Sequence, residues 1–205
     1  MQLSRLYSNL PDILSPIGFN HGANANRLNI VLGEVKHPRD QKKDSHNLGK
    51  TILLQLIDFL MLKGWSQESF LFRHRDRFAN FVFYLEIALN TGGYATIRRS
   101  VDAPTRIALA RHQDPNADFD GAPDDTWDHP DLPIDEAIKL LDAWLDLRAL
   151  QPYDYRKAIT YCVPRAIGAM NCSCRSSNPG ATFTGNRSSL TSSASIKIPS
   201  SENTS

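Results

Sequence analysis

The chain has 205 residues, 41% of them hydrophobic, and a formal net charge of +1. That is enough apolar material for one core with a small appendage. The charge balance points bulk electrostatics toward neither nucleic acid nor membrane. No apolar run approaches the roughly 20 residues that span a bilayer, and the opening MQLSRLYSNLPDIL lacks the charged-then-apolar form of a secretory signal. A cytoplasmic chain is therefore expected.

Leu3 to Tyr7 reads as a first strand, ended by Pro11, and PIGF begins a second. Leu28 to Leu32, LNIVL, is apolar on both faces, as expected of a buried strand. A polar, basic loop from Lys36 to Ser45 follows. From Gly49 the pattern becomes helical, with Ile52, Leu53, Leu54, Leu56, Ile57, Phe59, Leu60 and Met61 making it apolar almost all round. Such a helix should be buried, with Gly64 as its stop.

After a short second helical stretch, Phe81 to Leu89 alternates in the manner of a strand, NTGG turns, and Tyr94 to Val101 returns. This is a hairpin signal, and TRIALARH is expected to add a third antiparallel strand. The acidic stretch QDPNADFDGAPDDTWDHPDLP carries turn residues throughout and reads as an exposed loop. It lacks the D-x-D-x-D-G spacing of a calcium loop. Ile134 to Leu147 is an amphipathic helix with Pro133 at its start, and YDYRKAITY is a further helix.

The candidate chemistry lies in HNLGKT, residues 46–51. A phosphate loop presents consecutive backbone N–H groups at a helix N-terminus, where the dipole favours negative charge. Its lysine reaches the terminal phosphates and its hydroxyl holds magnesium. Gly49, Lys50 and Thr51 match the end of G-x-x-x-x-G-K-[ST], whereas the first-glycine position is Asp44. Gly33 and Glu34 close the preceding strand, so the spacing reads as an ordinary loop with about ten residues inserted. The six histidines, His21, His37, His46, His74, His112 and His129, show no ligand spacing, and all but His46 are assigned surface or loop roles. Cys162, Cys172 and Cys174 read as incidental thiols.

The segments RLNIVLGEVKHPRDQKKDSHNLGKTILLQLIDFLMLKG, FLFRHRDRFANFVFYLEIALNTGGYATIRRSV and LLDAWLDLRALQPYDYRKAITY resemble the N-terminal ATPase lobe of a bacterial SMC-like P-loop family, a domain-of-unknown-function group. Its members carry a split ABC-type head on a long coiled coil, and some belong to ABC-three-component systems proposed to act against invading DNA. The resemblance covers residues 1–161. It implies an α/β P-loop NTPase fold, the incomplete N-terminal lobe of an ABC/SMC-type head with mixed and antiparallel sheet. It also implies ATP and Mg2+ as ligands: His46, Asn47, Leu48, Gly49 and Lys50 would wrap the phosphates, and Thr51 would hold the metal. The implied partners are the other half of the head or a second head, with DNA in the parent assembly and no membrane.

From Cys162 to Ser205 the chain turns Ser-, Asn- and Thr-rich and cannot bury enough apolar surface to offset its ordering entropy, so it is expected to be disordered. It has a second reading. GATFTGNRSSLTSSASI, Gly180 to Ile196, can be encoded so that the frame one base earlier spells GRDIHWKPFIAHLLGFN, which resembles the family's own continuation. VPRAIGAMNCSCRSSNPG and KIPSSENTS likewise hide RTQSDWRDELQLQVIQSGR and QDPVVREHL. A frameshifted, non-native tail is therefore expected, and sequencing the gene tests it.

ABC-type hydrolysis needs the signature motif of a second head and an acidic strand end for magnesium and water. None of these is expected in this chain, which would bind ATP without turning it over. Two alternatives stand beside that reading: a non-hydrolysing DNA- or protein-interaction module using Arg98, Arg99 and the basic insertion, or an inert truncated product.

Overall fold

A computed structural model describes residues 1–19, 29–30, 50–147 and 152–162. The side chains of Lys50, Thr51, Tyr161 and Cys162 fall outside that description. Six strands run β1 (Gln2–Ser8), β2 (Ile17–Gly18), β3 (Val82–Ala88), β4 (Tyr94–Ser100), β5 (Arg106–His112) and β6 (His129–Pro133). They form one sheet in the order β2-β1-β3-β4-β5-β6, with every described pair antiparallel. The helices are α1 (Lys50–Leu60), α2 (Phe70–Arg73), α3 (Arg75–Phe78), α4 (Ile134–Leu145) and α5 (Tyr155–Cys162).

The α/β class and the antiparallel hairpin are as expected. Alternation along β3 sends Phe83, Leu85 and Ile87 to one face and Tyr84 and Glu86 to the other. The first set joins Ile97 and Ile107 in a core shared with Leu53, Leu56, Phe59 and Leu60 of α1, Leu141 and Leu145 of α4 and Tyr155 of α5. The NTGG turn needs its glycines: Gly92 and Gly93 have φ of 95° and 74°. A Cβ on Gly93 would also lie 2.9 Å from the His112 carbonyl oxygen, so this turn tolerates no side chain there.

Two expectations are corrected. The acidic stretch is not simply an exposed loop. Phe119 and Trp127 are buried against Tyr7, Tyr84, Ala108 and Ala110 on the second face of the sheet, and the stretch ends in β6, paired to β5 at Ile107 and Leu132. Pro130 and Pro133 confine that strand to an edge. The buried strand expected from Leu28 to Leu32 is described only at Asn29 and Ile30, which are in no strand, and Ile30 is 69% exposed. No parallel pairing occurs among the described residues, so the mixed sheet of a P-loop head is not found there. The tail beyond Cys162 lies outside the described residues.

Candidate functional site

Of the six residues expected to hold nucleotide, the backbones of Lys50 and Thr51 are described; His46, Asn47, Leu48 and Gly49 lie outside the described residues. Lys50 and Thr51 are helical, in the described part of α1. Magnesium coordination by Thr51 falls on a side chain outside the description.

The other end of α1 is tightly held. Leu62 takes a left-handed conformation with φ of 64°, Lys63 N donates to Asp58 O at 3.1 Å and Leu62 N donates to Phe59 O at 3.1 Å. This is the Schellman pattern, with leucine where glycine is usual. Burial of the Leu62 side chain offsets a backbone cost of about 1–2 kcal/mol. The expected stop at Gly64 thus falls two residues after the residue that turns the chain.

Arg99 completes the end. Its side chain is fully buried, with Nη1 donating to Phe59 O and, at 2.9 Å, to Lys63 O, and Nε donating to Pro104 O at 2.7 Å. The guanidinium lies 4.0 Å from the centre of the Phe59 ring. A cation belongs at this negative end of the dipole. Burial, and then the nearby Arg156 cation, bring Arg99 down to about 9, so it remains charged at neutral pH. Reading Arg99 as a strand-end charge or a DNA contact is therefore corrected, because it has no exposed surface to offer a partner.

α5 closes over the same end. Tyr155 OH donates to Met61 O at 3.3 Å, Arg156 Nη1 to the same carbonyl at 3.1 Å, and Arg156 Nη2 to Asp58 Oδ1 at 2.9 Å. Lys63 Nζ takes the other oxygen of Asp58 at 2.7 Å. The N-terminus of α5 is capped twice, by Asp142 from α4 to Tyr155 N and by Asp154 to Lys157 N, each at 2.9 Å. The C-terminal end of α1 is thus anchored to the sheet and to α5.

On the second face of the sheet, Tyr7 and Tyr84 stack with centroids 4.7 Å apart. A cavity of about 360 Å³ beside them is lined by Tyr84, Arg98, Ser100, Arg106, Asp131 and neighbours. Its cations are engaged. Arg98 Nη2 donates to Pro130 O at 3.0 Å and lies 3.7 Å from Asp124 Oδ1, its guanidinium over Trp127; Arg106 pairs with Asp131. Arg98 is therefore a sheet residue covered by the acidic segment and no ready-made phosphate clamp. His112, assigned a surface role, instead sits at the end of β5 with its side chain 12% exposed and its Nε2 3.9 Å from Glu86 Oε2. The parity of β3, which puts Glu86 inward beside Tyr84, was the signal for that cluster.

The buried phenols set a pH limit. Burial raises Tyr7 from 10.0 to about 12, against a hydrogen bond from Phe119 N, and raises Tyr84 and Tyr155 further. A raised phenol contributes stability that is complete below the unfolded value near 10 and is lost as pH rises through the folded value. Arg99 acts oppositely: folded, it gives up its proton above about 9, which adds stability as pH rises. With three phenols against one guanidinium, urea midpoints should decline above pH 10. The Tyr7→Phe protein should show a shallower decline; an unchanged slope would contradict the assignment.

Comparison with protein-family models, curated proteins and solved structures finds no match to this chain. No described helix is long and apolar enough to cross a membrane. Among the described residues no cluster of three or more His, Cys, Asp or Glu side chains could hold a metal ion.

Proposed function

We propose that this chain binds a magnesium–nucleoside triphosphate at the start of α1, as the N-terminal part of an SMC-like ABC-type ATPase head. What supports this reading is the sequence order Gly49, Lys50, Thr51, with the backbones of Lys50 and Thr51 helical in α1, the order in which a phosphate loop runs into its helix. In this reading His46 to Gly49 supply the remaining amides, Lys50 neutralises terminal phosphate charge, and the Thr51 hydroxyl holds Mg2+. ATP when bound supplies the energy-releasing phosphoryl group, and its turnover awaits the signature and acidic residues of the other head half. DNA association belongs, in the same reading, to the assembled machine.

The test is Mg2+-dependent binding of ATP by the full chain beside a Lys50→Ala variant. Loss of a charge-assisted phosphate contact should weaken binding at least about tenfold. Equal binding by both proteins rejects the phosphate loop. Salt-sensitive DNA binding that survives the substitution would favour the interaction module instead.

A further inference from the structure

Arg99 is buried and Arg98 is covered by the acidic segment, so neither strand arginine is free to meet a polyanion. The free cations lie on the two short helices that follow α1. Every other described arginine meets a carbonyl, a carboxylate or an aromatic ring. The guanidinium groups of Arg73 and Arg77 meet none among the described residues. From Arg73 to Arg77 every residue is exposed, and Arg73, Arg75 and Arg77 stand there against Asp76 alone. In a chain of net charge +1, that is a local excess of positive charge.

The excess sits on an aromatic platform that is held in place. The single turns α2 and α3 meet at His74, whose φ of −117° and ψ of 29° leave the helix. Its exposed ring lies 4.6 Å from Phe70, which lies 5.7 Å from Phe78, and both phenylalanines pack on the core. Arg75 ties the turn down, donating to Asp102 O at 3.1 Å and to Asp102 Oδ1 at 3.3 Å. Phe72 differs from its neighbours. It is half-buried, packs in neither the core nor the second-face cluster, and rests its ring against Trp65 at 5.6 Å.

We infer that α2 and α3 form a contact surface for single-stranded nucleic acid, with Arg73 and Arg77 on phosphates and Phe72 and His74 offering ring faces to unpaired bases. Free guanidinium groups pair with phosphate oxygens and release the counterions condensed there. Partly exposed rings stack on bases of any sequence. A duplex keeps its bases stacked inside and an acidic peptide has none, so either would use the arginines and leave the rings idle. The surface uses no residue of the glycine–lysine–threonine stretch and holds whether or not ATP binds there. ATP binding by Lys50→Ala decides that reading, and the arginine variant below decides this one.

The test is fluorescence anisotropy of a labelled oligothymidylate about fifteen nucleotides long, titrated with the full chain from about 50 to 300 mM salt. In Arg73→Ala/Arg77→Ala the logarithmic slope of affinity against salt should flatten by about 1.4, since each lost phosphate contact removes about 0.7. Affinity at the lowest salt should fall at least about tenfold. Phe72→Ala should weaken binding about fivefold or more with the slope unchanged. Lys139→Ala/Lys157→Ala removes the same charge from exposed positions on α4 and α5 and should leave the slope as it is. No binding by the unsubstituted chain, or equal affinity and slope in the arginine variant, overturns the proposal. Equal flattening in the lysine variant overturns the location. A duplex of the same length bound as tightly, with Phe72→Ala unaffected, overturns the single-strand assignment.

Discussion

Arg99→Ala should lower the unfolding free energy by about 3–5 kcal/mol, the cost typical of removing one partner from a buried charged network. The guanidinium is fully buried and serves Phe59, Lys63 and Pro104 carbonyls. Alanine would leave a side-chain-sized void and take the only described side-chain cation off the Lys63 carbonyl, at the end of α1 where dipole charge collects. Arg99→Lys should recover only part of the loss, because a single ammonium cannot reproduce a planar fork donating in two directions. One guanidinium nitrogen, Nη2, is buried without a partner, so the site is not at its electrostatic optimum. Urea unfolding with an unchanged slope and a lowered midpoint is the expected record. A loss under about 1 kcal/mol, the scale of an exposed charge, would show that Arg99 is not buried as described.

Trp127→Ala should cost about 3–5 kcal/mol, as for other buried aromatic truncations. The indole is 4% exposed, lies 4.9 Å from the Phe119 ring and 6.5 Å from Tyr84 between centroids, and is covered by the Arg98 guanidinium at 4.7 Å. It is the largest apolar anchor of the acidic segment. Its Nε1–H is buried without an acceptor. Trp127→Phe removes that orphaned donor along with some area, so it should cost roughly half as much or less. Thermal melts of the two variants decide: equal losses would mean that the indole N–H has a partner after all.

Part of this structure was legible in the amino acids. The β3–β4 hairpin announces itself by strict alternation and by NTGG, whose glycines adopt the positive φ that turn requires. Helices α4 and α5 follow from apolar spacing, although α4 stops at Leu145, where Asp146 turns left-handed at φ of 45°. β6 was illegible because Pro130, Pro133, Asp128 and Asp131 carry the composition of a turn, and only an edge position makes them tolerable in a sheet. Phe119 and Trp127, two large aromatics in an otherwise acidic run, were the available clue that the stretch is pinned down. Arg99 was legible too: along β4 it shares parity with Ala95 and Ile97, both fully buried, so it had to point inward. Of the motif, Lys50 and Thr51 are described, in α1. The rest of the loop falls on residues outside the description, where local spacing alone carries the reading.

Asn9 and Val82 clasp the ends of two neighbouring strands. Asn9 N donates to Val82 O at 3.1 Å, and Val82 N donates to Asn9 Oδ1 at 2.9 Å. These two residues stand where the chain leaves β1 and where it rejoins at β3, next door in the sheet. The stretch between them, which carries β2 and the core helix α1, thus leaves and rejoins the sheet at neighbouring positions. With those two points clasped, a change in chain length between them need not shift the β1–β3 register, since closure entropy grows only logarithmically with length.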